Sequence, residues 1–484
     1  MYDNNLKLFI SGLWVSVPIT TSRLTKRHVR VSDYKRITDV IFPTHVSIID
    51  KFAFSHCSSL KHLSIPPNIT YINENAFKGC SALTHVIIPN SVTCIGRGVF
   101  KNCSALTHVD IPDSITSIEK STFKGCSALT HVVIPNSVTC IGKFVFMECS
   151  ALTHVDIPDS VTSIKDAAFM NCSALTNVEI PNSVTFIGCW AFGYCSSLDH
   201  ITIPNNLTRL KIGTFAGCCL LPDVVIPNSI THIEMAAFEA CRLLTNVVIP
   251  DSVTTMDGSV FSGCSSLSEV VLPNSVTCIW NDAFYHCIAL TEVHIPNAVV
   301  FICRSAFDGC STLTKVVIPT SVTSIASHAF NGCVALEEVH FTNIITTFKI
   351  DSFCNCSLLR VVVILSFTES NDRNMDVCQQ LLQSNMNLSI LIVPKHLPTA
   401  YRTLFKQSYP HCRVLVDSPH ARIQATKAHY WNIHGVKFSN SSKLEWLLVL
   451  IMTLNRFSDR FRILLPIEMV HIILQTLKWS EINK

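Results

Sequence analysis

Cys126-Ser-Ala-Leu129-Thr-His131-Val132-Val-Ile134-Pro135-Asn-Ser-Val138-Thr-Cys140-Ile141-Gly-Lys-Phe-Val145-Phe146-Met-Glu148 is a 23-residue stretch that begins again, almost letter for letter, at Cys149. Cysteine recurs with this period at 57, 80, 103, 126, 149, 172, 195, 218, 241, 264, 287, 310, 333 and 356. Fourteen equally spaced cysteines define an internal repeat, and a period of this length means a stacked array of coils. With the cysteine as position 0, apolar residues fill positions 3, 6, 8, 12, 15, 19 and 20. Phe holds position 20 fourteen times, from Phe54 to Phe353, and Pro holds position 9 from Pro66 to Pro319. The alternating, β-branched Leu-x-x-Val-x-Ile segment predicts one short strand stopped by proline. The Ala/Val-Phe pair before the next cysteine is too short for a regular helix and predicts a helical turn.

The frame runs beyond the cysteines. Upstream, Tyr34 stands in the cysteine place and Ile37, Val40, Phe42, Pro43, Val46, Ile49 and Phe54 keep the phase. Downstream, the unit opened by Cys356 is 29 residues long, with an insertion over 366–384 that is polar around Glu369–Asp376. Asn385 then reopens the frame, followed by Leu388, Leu391, Val393, Pro394, Leu397 and Phe405, and Val414-Leu-Val416 is a last strand in phase. Trp14, Val17 and Ile19 suggest an amino-terminal cap over 1–33. The expected architecture is a repeat solenoid of about 16 coils over 34–416, with a helical tail over 417–484.

Cys80-Ser-Ala-Leu-Thr-His-Val-Ile-Ile-Pro-Asn-Ser-Val-Thr-Cys-Ile-Gly96 and Ala306-Phe-Asp-Gly-Cys310 resemble the BspA-like leucine-rich repeat family. The resemblance covers about four fifths of the chain. It implies a curved leucine-rich-repeat solenoid with a stacked parallel strand in every coil. It does not specify function, because such arrays serve as binding platforms in many roles.

A lone coil cannot fold. Its seven large apolar side chains are worth roughly 1.5–3 kcal/mol each when buried, against about 1.5 kcal/mol for ordering each of 23 residues. Only burial shared between coils closes that gap. Position 0 suits a small apolar residue, so the repeat thiols are expected to be buried and reduced. Stacked equivalents would lie about 4.8 Å apart with parallel Cβ atoms, wider than the Cβ separation of about 3.8 Å that a disulfide uses. The odd total of 23 cysteines also argues against full pairing. Cys218-Cys219 and Cys354-x-Cys356 lack zinc-finger spacing. No metal and no cofactor are expected. Cys94, Cys140 and Cys278 share position 14 and are expected to be the exposed thiols.

Composition narrows the class. With 48% apolar and 15% charged residues and a mean hydropathy of +0.37, the chain is not largely disordered. A balance of 37 basic to 34 acidic residues gives +3, which is no field for nucleic acid. The sequence lacks G-x-x-x-x-G-K-[ST], H-E-x-x-H, G-x-S-x-G and G-x-G-x-x-G, so an enzyme is not expected. Leu8–Ile19 is broken by Ser, Gly and Pro, and Trp446–Leu454 is too short to span a bilayer. Reduced thiols favour a cytoplasmic location. A secreted or cell-surface location is the alternative, with Asn68 and Asn206 as turn-borne glycosylation acceptors.

Function is expected where coils differ. Positions 6 and 8 point inward, so 5 and 7 point outward, onto the concave sheet of the expected curved solenoid. Position 5 reads His62, His85, His108, His131, His154, Asn177 and His200, then Asp223, Asn246, Glu269, Glu292, Lys315 and Glu338. Position 7 carries Asp110, Asp156 and Glu179 among the histidines, and later Val225, Val248, Val271 and Val317. Three readings stand: a solvated face, a protein-docking surface, or a histidine ladder for metal. Zinc needs three or four converging ligands, whereas a straight ladder offers parallel ones. Histidine protonation below about pH 6.5 would set like charges on adjacent rungs and release a partner held there.

In the tail, Leu465-Pro466-Ile-Glu468-Met469-Val470-His-Ile-Ile473-Leu474-Gln-Thr-Leu477 resembles the first helix of an F-box. That resemblance implies that Leu465, Pro466, Ile473 and Leu474 dock the adaptor of a ubiquitin ligase, with the solenoid presenting substrate. The other reading is a helical cap over the last strand. The functional classes are therefore a protein-interaction scaffold, a ubiquitin-ligase substrate receptor and a surface adhesin.

Overall fold

The computed structural model describes residues 5–29, 31–342, 347–349, 351–364, 388–393, 403 and 412–416. The insertion, the tail and the F-box-like residues Leu465, Pro466, Ile473 and Leu474 lie outside them. The chain is a β-solenoid of about 15 turns with parallel strands. It divides into two compact units, one reaching to Leu359 and the other opening at Arg360.

In the first unit, positions 5–7 of the coil form the expected strand. Equivalent residues pair without slip, His62 with His85 and His85 with His108. An antiparallel hairpin of Asn5–Ile10 and Leu13–Pro18 closes this sheet by pairing with Ile37–Ile41. The hairpin buries Leu6 and Leu8, so the first coil is not left with an open apolar end.

Positions 14 and 15 add a second parallel ladder, as between Ser117–Ile118 and Cys140–Ile141. Two residues are too few to show a period of two in sequence, although the outward–inward alternation is there: Cys94 is exposed and Ile95 buried.

Before the next cysteine the structure corrects the expected helical turn. Positions 18 and 22 are left-handed, with φ of 63° at Gly98 and 59° at Asn102. The amides of Gly98, Phe100 and Asn102 therefore all point along the stack, donating to Lys120, Thr122 and Lys124 of the next coil at 3.0, 2.9 and 2.7 Å. A helical turn would direct those donors back into its own coil. The left-handed site explains the glycines of Phe-x-Gly-Cys: at Gly125, φ is 74° and a Cβ would lie 2.5 Å from Asn102 Oδ1.

The core is a column. Phe54 to Phe353 stack with ring centroids 4.9–5.9 Å apart, all fully buried. Beside them, each repeat cysteine from Cys80 to Cys356 donates its thiol to the carbonyl of the phenylalanine one coil back, as Cys126 Sγ does to Phe100 O at 3.2 Å. The cysteine is thus a hydrogen-bond donor as well as a small core residue. Hydroxyls do the same at the rim: Ser104 reaches Ser81 O, Thr107 reaches Thr84 O and Ser137 reaches Ile115 O. These bonds explain the conspicuous Cys-Ser-x-Leu-Thr and Asn-Ser-Val-Thr strings. The serine and threonine hydroxyls in them satisfy backbone carbonyls of the neighbouring coil in most repeats, whereas Ser229 and Ser321 are buried without a partner.

In the second unit, Val361–Ile364, Ile390–Val393 and Arg413–Val416 pair in parallel and in register. Ile390 sits opposite Val361 across the insertion, so the longer repeat keeps its phase. Val361, Val363, Ile390 and Ile392 form a buried cluster against Leu415. Among the described residues no helix is long and apolar enough to cross a membrane.

Candidate protein-binding face

The strand ladder turns positions 5 and 7 away from the core because 6 and 8 carry the buried residues, Val109 and Ile111 in one coil. His62, His85, His154 and His200 are exposed, and His108 and His131 half-buried. The rings of His131 and His154 stack 6.2 Å apart and within 6° of parallel. Asp110 and Asp156, exposed at position 7, reach back along their own strands: His108 Nε2 lies 2.9 Å from Asp110 Oδ1 and His154 Nε2 2.8 Å from Asp156 Oδ1. A carboxylate thus faces two of the six histidine rings. Glu179 is exposed on the next rung but one from Val133. Among the described residues no group of three or more His, Cys, Asp or Glu converges as metal ligands would.

The ladder is interrupted at Pro222. Position 4 is threonine in five earlier coils, and its amide donates to the coil above, as Thr107 N does to Thr84 O at 3.0 Å. Proline has no amide hydrogen to give. The ten-stranded sheet accordingly ends at His200–Thr202, and beyond it Asp223 makes only an isolated bridge to Asn246. This seam coincides with the change of surface chemistry.

Past the seam, Asp223, Glu269 and Glu292 are exposed, as expected. Val225, Val248, Val271 and Val317 stand 83, 66, 48 and 43% exposed, a stripe of apolar side chains on consecutive or near-consecutive rungs. Glu338 departs from expectation: it is buried, held between Lys315 Nζ at 3.6 Å and His340 Nε2 at 2.6 Å. His340, at position 7 of the same strand, folds back over it, a side-chain contact that position counting does not reveal. Two exposed apolar residues in the histidine half stand equally at position 7, Ile87 between Ser64 and Asp110 and Val133 between Asp110 and Asp156.

Two further expectations need correction. Cys94 is exposed and Cys140 half-buried, but Cys278 is buried, because Cys303 of the next coil lies against it with the two sulfurs 3.4 Å apart. Asn68, expected as a glycosylation acceptor, donates its side-chain amide to the carbonyls of Pro43 and Val46, and Asn206, though exposed, donates its own to Asn182 O at 2.7 Å.

Against known proteins, the family model for the BspA type leucine-rich repeat region matches residues 32–151, 117–245 and 231–360. The chain belongs to this family. Among solved structures it is similar to a leucine-rich cell surface protein from Faecalibacterium prausnitzii, at 30% identity over 69% of this chain and 86% of that one, with a TM-score of 0.43. It is also similar to a leucine-rich repeat protein from Bacteroides ovatus, at 22% identity over 79% and 95% of the two chains, with a TM-score of 0.46. No curated protein matches it.

Proposed function

We propose that this BspA-type solenoid is a non-catalytic interaction scaffold whose partner is a protein bound on the outward face of the strand ladder. The observation that carries this reading is the valine stripe from Val225 to Val317, which leaves apolar side chains in water beside Asp223, Glu269 and Glu292. Exposed apolar side chains aligned on a rigid sheet are what a partner covers. The matching partner presents an apolar ridge flanked by basic groups. The histidine half, with its His–Asp pairs, offers a second and more polar part of the same face.

The test is affinity capture with the full chain, comparing wild type with a Val225→Asp, Val248→Asp double variant. Leu220→Ser serves as control, since Leu220 is exposed off the strand ladder. A partner lost by the double variant and retained by the control supports the reading; equal capture by all three refutes it. A cytoplasmic location fits thiols that must keep their protons to hold the Phe carbonyls. A glycan on Asn206 of the protein from its native source would move it to the secretory route.

A further inference from the structure

The repeat thiols from Cys80 to Cys356 each have a carbonyl partner, but Cys278 and Cys303 have each other, with Sγ atoms 3.4 Å apart. They occupy position 14 of one coil and position 16 of the next, 25 residues on. The other cysteines at position 14 lack such a partner: one coil after Cys94 and Cys140, position 16 holds Glu119 and Lys165. The backbone fixes the encounter. Cys278 pairs with Phe301 and Ile279 with Ile302 in the second ladder, and the amide of Cys303 donates to Ile279 O at 2.8 Å. Just beyond, the amide of Arg304 donates to Asn281 Oδ1 at 3.0 Å, and that of Asp282 to Arg304 O at the same distance. The backbones that carry the two sulfurs cannot drift apart without breaking bonds between coils. To bond, the sulfurs must close from 3.4 Å to a disulfide length of about 2.05 Å.

We propose that Cys278 and Cys303 form an oxidisable dithiol site whose co-substrate is a low-molecular-weight disulfide and whose product is a covalent staple between two coils. The thiols have different tasks. Cys303 is half-buried and Cys278 buried, so an incoming disulfide meets Cys303 first. The hydrogen bond between the two sulfurs also lowers the Cys303 thiol, against the opposing effect of burial, and raises Cys278. The Cys303 thiolate attacks one sulfur of the small disulfide, forming a mixed disulfide and releasing one small thiolate, which takes a proton. Cys278 then gives up its proton to solvent and attacks the Cys303 sulfur, expelling the second small thiol. Two protein thiols are oxidised and one small disulfide is reduced to two thiols.

The experiment treats the full chain with glutathione disulfide, blocks remaining thiols by alkylation, and maps non-reduced chymotryptic peptides, since Trp280 and Phe301 offer cuts between the two cysteines. The expected result is a Cys278–Cys303 cross-link, with both thiols lost to alkylation and the repeat cysteines Cys264 and Cys287 still free. In Cys278→Ser the glutathione adduct is trapped on Cys303; in Cys303→Ser no adduct or cross-link forms at this site. Circular dichroism checks that both variants keep the wild-type fold. Overturning results are a wild type that carries glutathione on Cys303 without closing the bridge, or one whose two thiols remain fully alkylatable.

Discussion

Alkaline pH should unfold this solenoid from the inside. The thiols of Cys57, Cys103, Cys149, Cys195 and Cys356 are raised by burial from the usual 9.0 to about 12. Above pH 9 the unfolded chain releases these protons and the folded chain keeps them. The folded state then binds more protons, so stability falls as pH rises. This part of the stability is intact below pH 9 and is lost progressively towards pH 12. Each thiol costs about 1.4 kcal/mol per pH unit in that window. Five such thiols cost on the order of 7 kcal/mol over one unit, comparable with the roughly 5–15 kcal/mol that holds an ordinary domain together.

The assay is a series of equilibrium denaturant unfolding curves, followed by circular dichroism from pH 8 upward, with thiolate absorbance read in parallel. Ladder thiolates should appear together with loss of the strand signal. Cys149→Ala should lose only about 0.5–1.5 kcal/mol near neutral pH, because Phe123 O still accepts the Cys126 amide at 3.1 Å. Its pH dependence should be shallower by one thiol's share. A wild type whose ladder cysteines become thiolates while the strand signal persists would refute the reasoning, since it would mean the column tolerates charge.

Three further outcomes are expected. Phe192→Ala removes a fully buried ring stacked at 5.2 and 5.9 Å between Phe169 and Phe215; it should cost about 3–5 kcal/mol and abolish hydrogen-exchange protection in the coils on both sides. Pro222→Thr restores an amide facing Asp199 O, so protection should rise at Val224 and Val225. Its global stability should change little, because the bond gained, about 0.5–1.5 kcal/mol, is offset by the roughly 0.4–1 kcal/mol of chain entropy that proline had removed from the unfolded state. Timed alkylation of the native protein should modify Cys94 and Cys140 long before the buried repeat thiols, and equal rates would contradict their burial.

Much of this was legible before any coordinates. In a stack of equivalent coils, a residue at one position meets its own equivalents above and below, so position 20 must suit a column of identical rings and Phe is repeated there. The same logic exposed the outward positions 5 and 7. What escaped were features without a long-range period. The second ladder spans two residues, and the left-handed residues at positions 18 and 22 range from Gly, Asn and Ser to Ala, Asp, Glu, His, Phe, Tyr and Trp, so no single residue type announces them. Glu338 was misplaced because its burial comes from Lys315 and His340, side chains whose reach no positional rule supplies.

The repeat also explains why function is read from departures. A position that is the same in every coil is already accounted for by stacking, as the thiol bond to a Phe carbonyl accounts for the cysteine. A position that breaks the rule has no such account. Pro222 removes a ladder donor at the point where the face changes from histidine and carboxylate to valine and carboxylate, so the ten-stranded ladder ends where the surface chemistry changes. A partner bound across both halves would have to span a seam where the backbone lacks its rung-to-rung bonds. One confined to the valine half would meet two paired ladders in separate sheets, Asn246–Val248 with Glu269–Val271 and Glu292–Val293 with Lys315–Ile318. The second geometry avoids the Pro222 seam and rests on strands paired within each of the two sheets. The Val225→Asp, Val248→Asp variant, by charging the first two rungs after the seam, therefore tests the part of the face where binding should be strongest.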